Sequence, residues 1–332
     1  MTFREWFDLI RKALRDGGAV TTKPPSPTEA GQPTPSDPPP TKPRAYAVRE
    51  IRKAAKERKG SGLFIDGAGR VLDAVYDNQS RSDTWIRADG HDLKHIEGET
   101  ANFFETADRR VWVTVEKGTD GRQYELRGTS LHPLSWQAHY CGCGLDIGGK
   151  PHFCDCPKGG KPYIRDVAGK TVTHLPGQGI PYDAIMSPSG VAVVTICDGQ
   201  ANGIAWGSGQ FIKCDARALV LRAGRLLAGV SGLVQVVTPT GLSPAYSGRL
   251  GASIDSMATD STGATWVSTS SPDCLWRWDA GGAMVKVAEF ADESDGGALF
   301  RSRVAVRGDR VVWGRNDKRG GNRWIVYEVV PA

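Results

Sequence analysis

The stretch Asp260-Ser261-Thr262-Gly263-Ala264-Thr265-Trp266-Val267-Ser268-Thr269 reads as a β-hairpin. A turn of small residues, Asp260 to Gly263, runs straight into a β-rich strand carrying Thr265, Trp266, Val267 and Thr269. The phrase recurs. Aligned on the turn, seven copies fall at 63–72, 104–114, 143–153, 185–194, 219–227, 260–269 and 304–313. Each is followed by a third apolar run, at 85–86, 124–126, 163–164, 203–206, 233–237, 275–278 and 324–330. A fourth usually follows. Shared among seven units, residues 61–332 give about 39 residues each, close to the length of a four-stranded repeat.

One four-stranded sheet of this length cannot bury both of its faces. Seven packed radially about an axis bury each sheet between neighbours and leave few exposed edges. The expected fold is therefore all-β, a seven-bladed β-propeller, preceded by an N-terminal amphipathic helix and a Pro-rich linker. A β-sandwich or two small β domains are the competing arrangements. Nine of the ten Trp fall within 61–332, as expected for rings wedged between blades.

Asp260, Gly263, Trp266, Val267 and Thr269 match an Asp-x-x-Gly-x-x-Trp-Val-x-Thr turn. The hairpin resembles the repeats of NHL-type, two-component-regulator-type and lyase-type propellers. The other six copies keep the turn and the flanking strands, so the resemblance implies architecture across 61–332 and names no substrate. The sialidase Asp-box differs at Ser261, where it would carry Asp.

The 332 residues carry a net charge of +5. Residues 1–60 hold 13 Lys and Arg against 7 Asp and Glu, a net +6; the remainder holds 29 against 30, a net −1. A nearly neutral propeller argues against a ring built as a nucleic-acid groove. No apolar run approaches the roughly 18 residues of a membrane span. The N-terminus lacks the apolar core of a secretory signal.

Residues 1–20 read as an anchor helix. Thr2 and Glu5 form a capping box, and Phe3, Phe7, Ile10 and Leu14, with Trp6, make one apolar stripe ended by Gly17-Gly18. So short a helix is marginal alone and calls for a docking partner. Residues 21–43 hold nine prolines, a polyproline-type linker reaching roughly 70 Å. Residues 44–60 are basic. Arg49, Arg52, Lys53, Lys56, Arg58 and Lys59 form either a solvated face or a contact for an acidic partner or packaged nucleic acid. Tyr46 to Ile51 are also placed to supply a ring-closing strand, because the last repeat ends after three strands.

Cys141-Gly-Cys143 and Cys154-Asp-Cys156 flank Gly148-Gly149, a two-residue hairpin turn. Counting outward from the turn sets Cys143 opposite Cys154 and Cys141 opposite Cys156, with all four sulfurs on one face. Reduced, they are the donor set of a structural Zn²⁺ site; oxidised, opposed pairs suit disulfides; unmodified, they are small buried residues. Residues 292–297 form an acidic loop, solvated or Ca²⁺-binding.

There is no Walker loop, nucleophile elbow, His-Glu-x-x-His or dinucleotide fingerprint, and no residue is assigned a catalytic role. Helix, leash and compact head are laid out like a bacteriophage virion component. That layout implies an interaction protein anchored in a larger assembly, with the propeller displayed for host-surface, glycan or protein contact, assembled in the bacterial cytoplasm and located in the virion. Two alternatives stand beside it. One is a propeller enzyme, a metal-dependent lactonase-like hydrolase or a lyase, with its site at the axial channel. The other is a glycan-binding propeller presenting exposed Trp.

Overall fold

The computed structural model describes residues 45–332 except 81–82, 99, 117–120, 140–141, 158–159, 291–301, 318–320 and 322, and omits the side chains of 198–201. The N-terminal helix, the Pro-rich linker, the 292–297 loop and Cys141 lie outside these residues. The described chain forms seven four-stranded antiparallel sheets.

Tyr46–Lys53 is β1. Blade 1 is Arg58–Ile65 (β2), Val71–Asp77 (β3), Asp83–Ala88 (β4) and His91–Glu97 (β5). Blade 2 is Thr100–Glu105 (β6), Val111–Glu116 (β7), Arg122–Arg127 (β8) and Ser130–Pro133 (β9). Blade 3 is Cys143–Ile147 (β10), Lys150–Asp155 (β11), Tyr163–Asp166 (β12) and Thr171–His174 (β13). Blade 4 is Gln178–Met186 (β14), Ala192–Ala201 (β15), Gly203–Trp206 (β16) and Phe211–Lys213 (β17). Blade 5 is Ala216–Arg222 (β18), Arg225–Val230 (β19), Leu233–Thr238 (β20) and Gly241–Pro244 (β21). Blade 6 is Ser253–Thr259 (β22), Thr265–Ser270 (β23), Asp273–Trp278 (β24) and Met284–Phe290 (β25). Blade 7 is Ser302–Arg307 (β26), Arg310–Asp317 (β27) and Arg323–Pro331 (β28), completed by β1 in the order β1-β28-β27-β26.

The first strands of consecutive blades lie side by side, and β26 returns to β2, so the ring is closed. This is a seven-bladed β-propeller. The seven repeat phrases are its seven first hairpins, and the third apolar runs are its third strands.

The turn chemistry explains why the phrase repeats. Asp260 Oδ1 accepts the amides of Thr262 (2.9 Å) and Ala264 (3.0 Å), and Oδ2 accepts Trp266 Nε1 at 2.8 Å. One carboxylate thus fixes both the turn and the ring that follows it. Gly263 closes the turn onto Asp260 O at 3.0 Å with φ +79°, a left-handed conformation that suits glycine. Asp66 and Asp166 hold their turns by the same amide bonds. In other turns Ser187 Oγ accepts the Val191 amide, and Thr106 Oγ1 donates to Arg110 O.

A belt of cross-blade hydrogen bonds runs around the axis. Ser61 Oγ accepts Ala101 N (3.0 Å), Asn102 Nδ2 donates to Gly142 O (2.5 Å), and Asp183 Oδ2 accepts Leu219 N (2.7 Å). Thr259 Oγ1 donates to Leu221 O (3.0 Å), and Ser256 Oγ bonds the Val304 backbone (3.3 Å). The apolar cores sit between blades. One joins Cys143, Leu145 and Cys154 of blade 3 to Ala192, Val194 and Ile196 of blade 4. Another joins Ala218 and Leu227 of blade 5 to Ile254 and Val267 of blade 6.

Candidate functional site

Four first strands carry one extra residue at the same level. The ladder skips Ser61 in β2, Tyr182 in β14, Arg217 in β18 and Asp255 in β22. Bulges re-aim side chains and cluster beside functional sites. Here three of the four bulged residues belong to one polar group at the axis.

The group is recognised by contacts between blades that are not neighbours, which only side chains crossing the middle of the ring can make. The Arg303 guanidinium of blade 7 lies 5.4 Å from the centre of the Tyr182 ring of blade 4, and its Nη2 is 3.4 Å from Asn102 Oδ1 of blade 2. Asp183 of blade 4 lies in the field of Arg303. Tyr182 lies in the fields of Arg303, of Asp255 from blade 6 and of Arg217 from blade 5. Asn102, Tyr182, Asp183, Arg217, Asp255 and Arg303 therefore form one cluster, drawn from blades 2, 4, 5, 6 and 7. Gly62 of β2 is so close to Ala101 O that a Cβ there would overlap it. Four residues further along β26, Arg307 repeats the reach from blade 7 to blade 2, donating to Glu105 Oε2 at 2.9 Å and to Ile65 O at 3.2 Å. Arg307 thus links blades 7 and 2 beside the Gly67 turn of blade 1.

Withdrawal from water sets the protonation of the cluster. Desolvation pushes the Asp183 carboxyl up to about 6, against the pull of the Leu219 amide, Arg303 and the Ala184 amide. Desolvation also raises the Tyr182 phenol far above its ordinary value, so it stays neutral. A half-buried carboxyl that titrates near neutrality and a phenol that holds its proton are a matched acceptor and donor.

The Asp183 shift has a stability consequence. Its folded value lies above the ordinary 3.8, so the contribution is fully present below pH 4 and lost as pH rises through 6. The shift corresponds to roughly 3 kcal/mol. Urea unfolding of wild type and Asp183→Asn at pH 4 and pH 8 should show the wild type losing roughly 3 kcal/mol more than the variant. Equal losses would show that Asp183 is not desolvated.

The basic segment is divided. Arg52 is directed inward, with Nη1 on Asp73 Oδ1 at 3.0 Å. Lys59 is buried, and Arg58 lies 3.8 Å over the Trp85 ring. Arg49 pairs with Glu328 at 2.7 Å at the surface, while Lys53 and Lys56 are exposed. Phe3, Trp6, Phe7, Ile10 and Leu14 lie outside the described residues.

Cys143 and Cys154 face each other across β10 and β11, in the register counted from the Gly-Gly turn. Both are buried, as is Cys156, whose thiol is pushed up by burial. Among the described residues no three His, Cys, Asp or Glu side chains are grouped to hold a metal ion. At the axis Arg303 lies beside Asn102 and in the field of Asp183, and Arg217 lies in the field of Asp255, so both carboxylates face guanidiniums.

Six of the nine propeller Trp are buried. The half-buried three each carry a cation of this chain on the ring: Arg58 over Trp85, Arg165 over Trp136 and Lys286 over Trp276. Those faces are not open platforms for a sugar.

No family model and no curated protein matches this sequence. Solved structures do match. Virginiamycin B lyase from Staphylococcus aureus superposes with a TM-score of 0.61 at 10% identity, over 86% of this chain and 99% of that one. The extracellular domain of the one-component system BT4673 from B. thetaiotaomicron gives 0.58 at 11% identity, over 85% of this chain and 39% of that one. BBS1N in complex with ARL6DN gives 0.56 at 14% identity, over 86% and 97%. Enzyme, sensor and partner-binding propellers share this architecture, so at these identities the likeness establishes the fold alone.

Proposed function

We propose that the chain is a propeller enzyme of the lyase or hydrolase class, acting on a small molecule at the axial cluster without a metal. The observation that carries this reading is the Asp183 carboxyl, titrating near 6 and set against Arg303 in the middle of the ring. In its ionised form Asp183 accepts a proton from substrate or water. Arg303 and Arg217 stabilise the negative charge that develops as the bond breaks, and neutral Tyr182 donates a hydrogen bond to it. The likeness to virginiamycin B lyase, also solved as a catalytically inactive variant with quinupristin, supports the choice of class. The test is incubation of the full chain with quinupristin and a panel of lactones, read by mass spectrometry. Ring opening of one compound is expected, falling about 100-fold or more in Asp183→Asn and Arg303→Met. No turnover, or turnover indifferent to both substitutions, would refute the reading.

A second reading rests on chain layout. Residues 46–331 supply all 28 strands, so none of residues 1–43 is needed to complete a sheet. The apolar stripe of Phe3, Trp6, Phe7, Ile10 and Leu14 and the nine-proline leash are thereby left for docking into a larger assembly, such as a virion. A chain lacking residues 1–20 should then fold as a propeller yet fail to join its assembly.

A further inference from the structure

His139 and Asp155 sit at the end of blade 3 where the first strand begins, the end at which the axial cluster lies. Asp155, the last residue of β11, is fully buried. Its Oδ1 accepts the His139 amide at 2.8 Å, which fixes the backbone that carries the imidazole. Its Oδ2 lies 3.8 Å from His139 Nδ1 and 3.4 Å from Arg165 Nε, and the carboxylate also faces the Tyr163 phenol. Arg165 is itself fixed: Nη2 donates to Tyr163 Oη at 2.5 Å, and the guanidinium lies over the Trp136 and Tyr163 rings. The loop is pinned by Ala138, which exchanges two backbone bonds with Gly121. The imidazole is about half exposed. Burying a carboxylate costs several kcal/mol unless its partners compensate. A fully buried carboxylate that holds the backbone of one exposed histidine and lies beside its ring limits where that ring can point.

We propose that His139 is a general base of this enzyme, with Asp155 as its positioning residue and Arg165 holding Asp155 in place. The proposal rests on the enzymatic reading above and adds a proton-transfer residue that reading does not contain. In ester hydrolysis His139 Nε2 takes a proton from water while the water oxygen bonds to the acyl carbon. The carbon–oxygen bond to the leaving alkoxide then breaks, and the proton passes to that alkoxide or to solvent.

The probe is p-nitrophenyl acetate, with release of p-nitrophenolate by the full chain followed from pH 5 to 9. Hydrolysis above buffer should rise through one ionisation. His139→Ala should remove at least about nine-tenths of it. Asp155→Asn should lower the rate and displace the pH profile, which a purely structural carboxylate would not do. His91→Ala, at an exposed histidine on β5, should change nothing. Thermal unfolding of His139→Ala should match wild type. A wild-type rate in His139→Ala, or no hydrolysis above buffer, overturns the proposal. Loss in Asp183→Asn with full activity in His139→Ala would leave the axial reading standing and remove this one. The converse pattern would remove the axial assignment instead.

Discussion

Replacing Trp324 with alanine is expected to cost about 3–5 kcal/mol and to lower Tm by roughly 10 °C. Trp324 is fully buried in the core that joins blade 7 to blade 1. Two glycines make its slot: a Cβ on Gly60 of β2 or on Gly314 of β27 would overlap the indole. Gly60 is not among the residues with positive φ, so alanine is tolerated by its backbone and the whole penalty of Gly60→Ala comes from the ring. That makes a double-mutant cycle decisive. Gly60→Ala alone should cost about 1–3 kcal/mol through overpacking, and much less in the Trp324→Ala background, where the methyl fills part of the cavity. Additive losses would show that the two positions do not meet, and that the last blade does not close on the first in this way.

The fold was legible because its determinants are local and repeated. Asp260, Gly263 and Trp266 sit within seven residues, and the carboxylate that caps the turn also holds the indole. The Cys143 and Cys154 register could be counted from Gly148-Gly149 for the same reason. The axial cluster has no such signature. Its members are one residue, or in β14 two adjacent ones, in strands otherwise built for burial, and they come together only when five blades do. One trace was present: relative to the turns, Tyr182, Arg217 and Asp255 hold equivalent positions, five residues before Ser187, Arg222 and Asp260. A charge in the middle of an apolar first strand is costly unless it faces other charges across an axis. The His139–Asp155 contact was hidden differently. His139 precedes β10, outside the ladder that can be counted from the turn, and its backbone is held by a carboxylate sixteen residues on.

Removing β1 should open the ring. A chain starting at residue 45 keeps all 28 strands and serves as the reference; one starting at residue 54 lacks the strand that pairs with β28 from Tyr46↔Pro331 to Lys53↔Ile325. Three losses follow. Tyr46, Val48 and Ile51 leave the apolar cores at the blade 6, 7 and 1 contacts, and Tyr46 no longer meets Trp266 edge-on at 5.4 Å. At about 1.5–2 kcal/mol for each large side chain, that is roughly 5 kcal/mol. Asp73, fully buried, loses Arg52 and keeps Arg87 as its remaining ion-pair partner among the described residues. The backbone of β28 becomes an open edge, a template for pairing with other chains. The shorter chain should therefore melt at least about 10 °C lower than the reference and elute as dimers or larger species in size-exclusion chromatography. A synthetic peptide of residues 46–53 should restore part of the Tm by refilling the vacant edge, since the pairing it makes is antiparallel and register-specific. An unchanged Tm in the shorter chain would mean that three strands suffice for blade 7 and that joining the chain's two ends in one sheet contributes nothing to the ring.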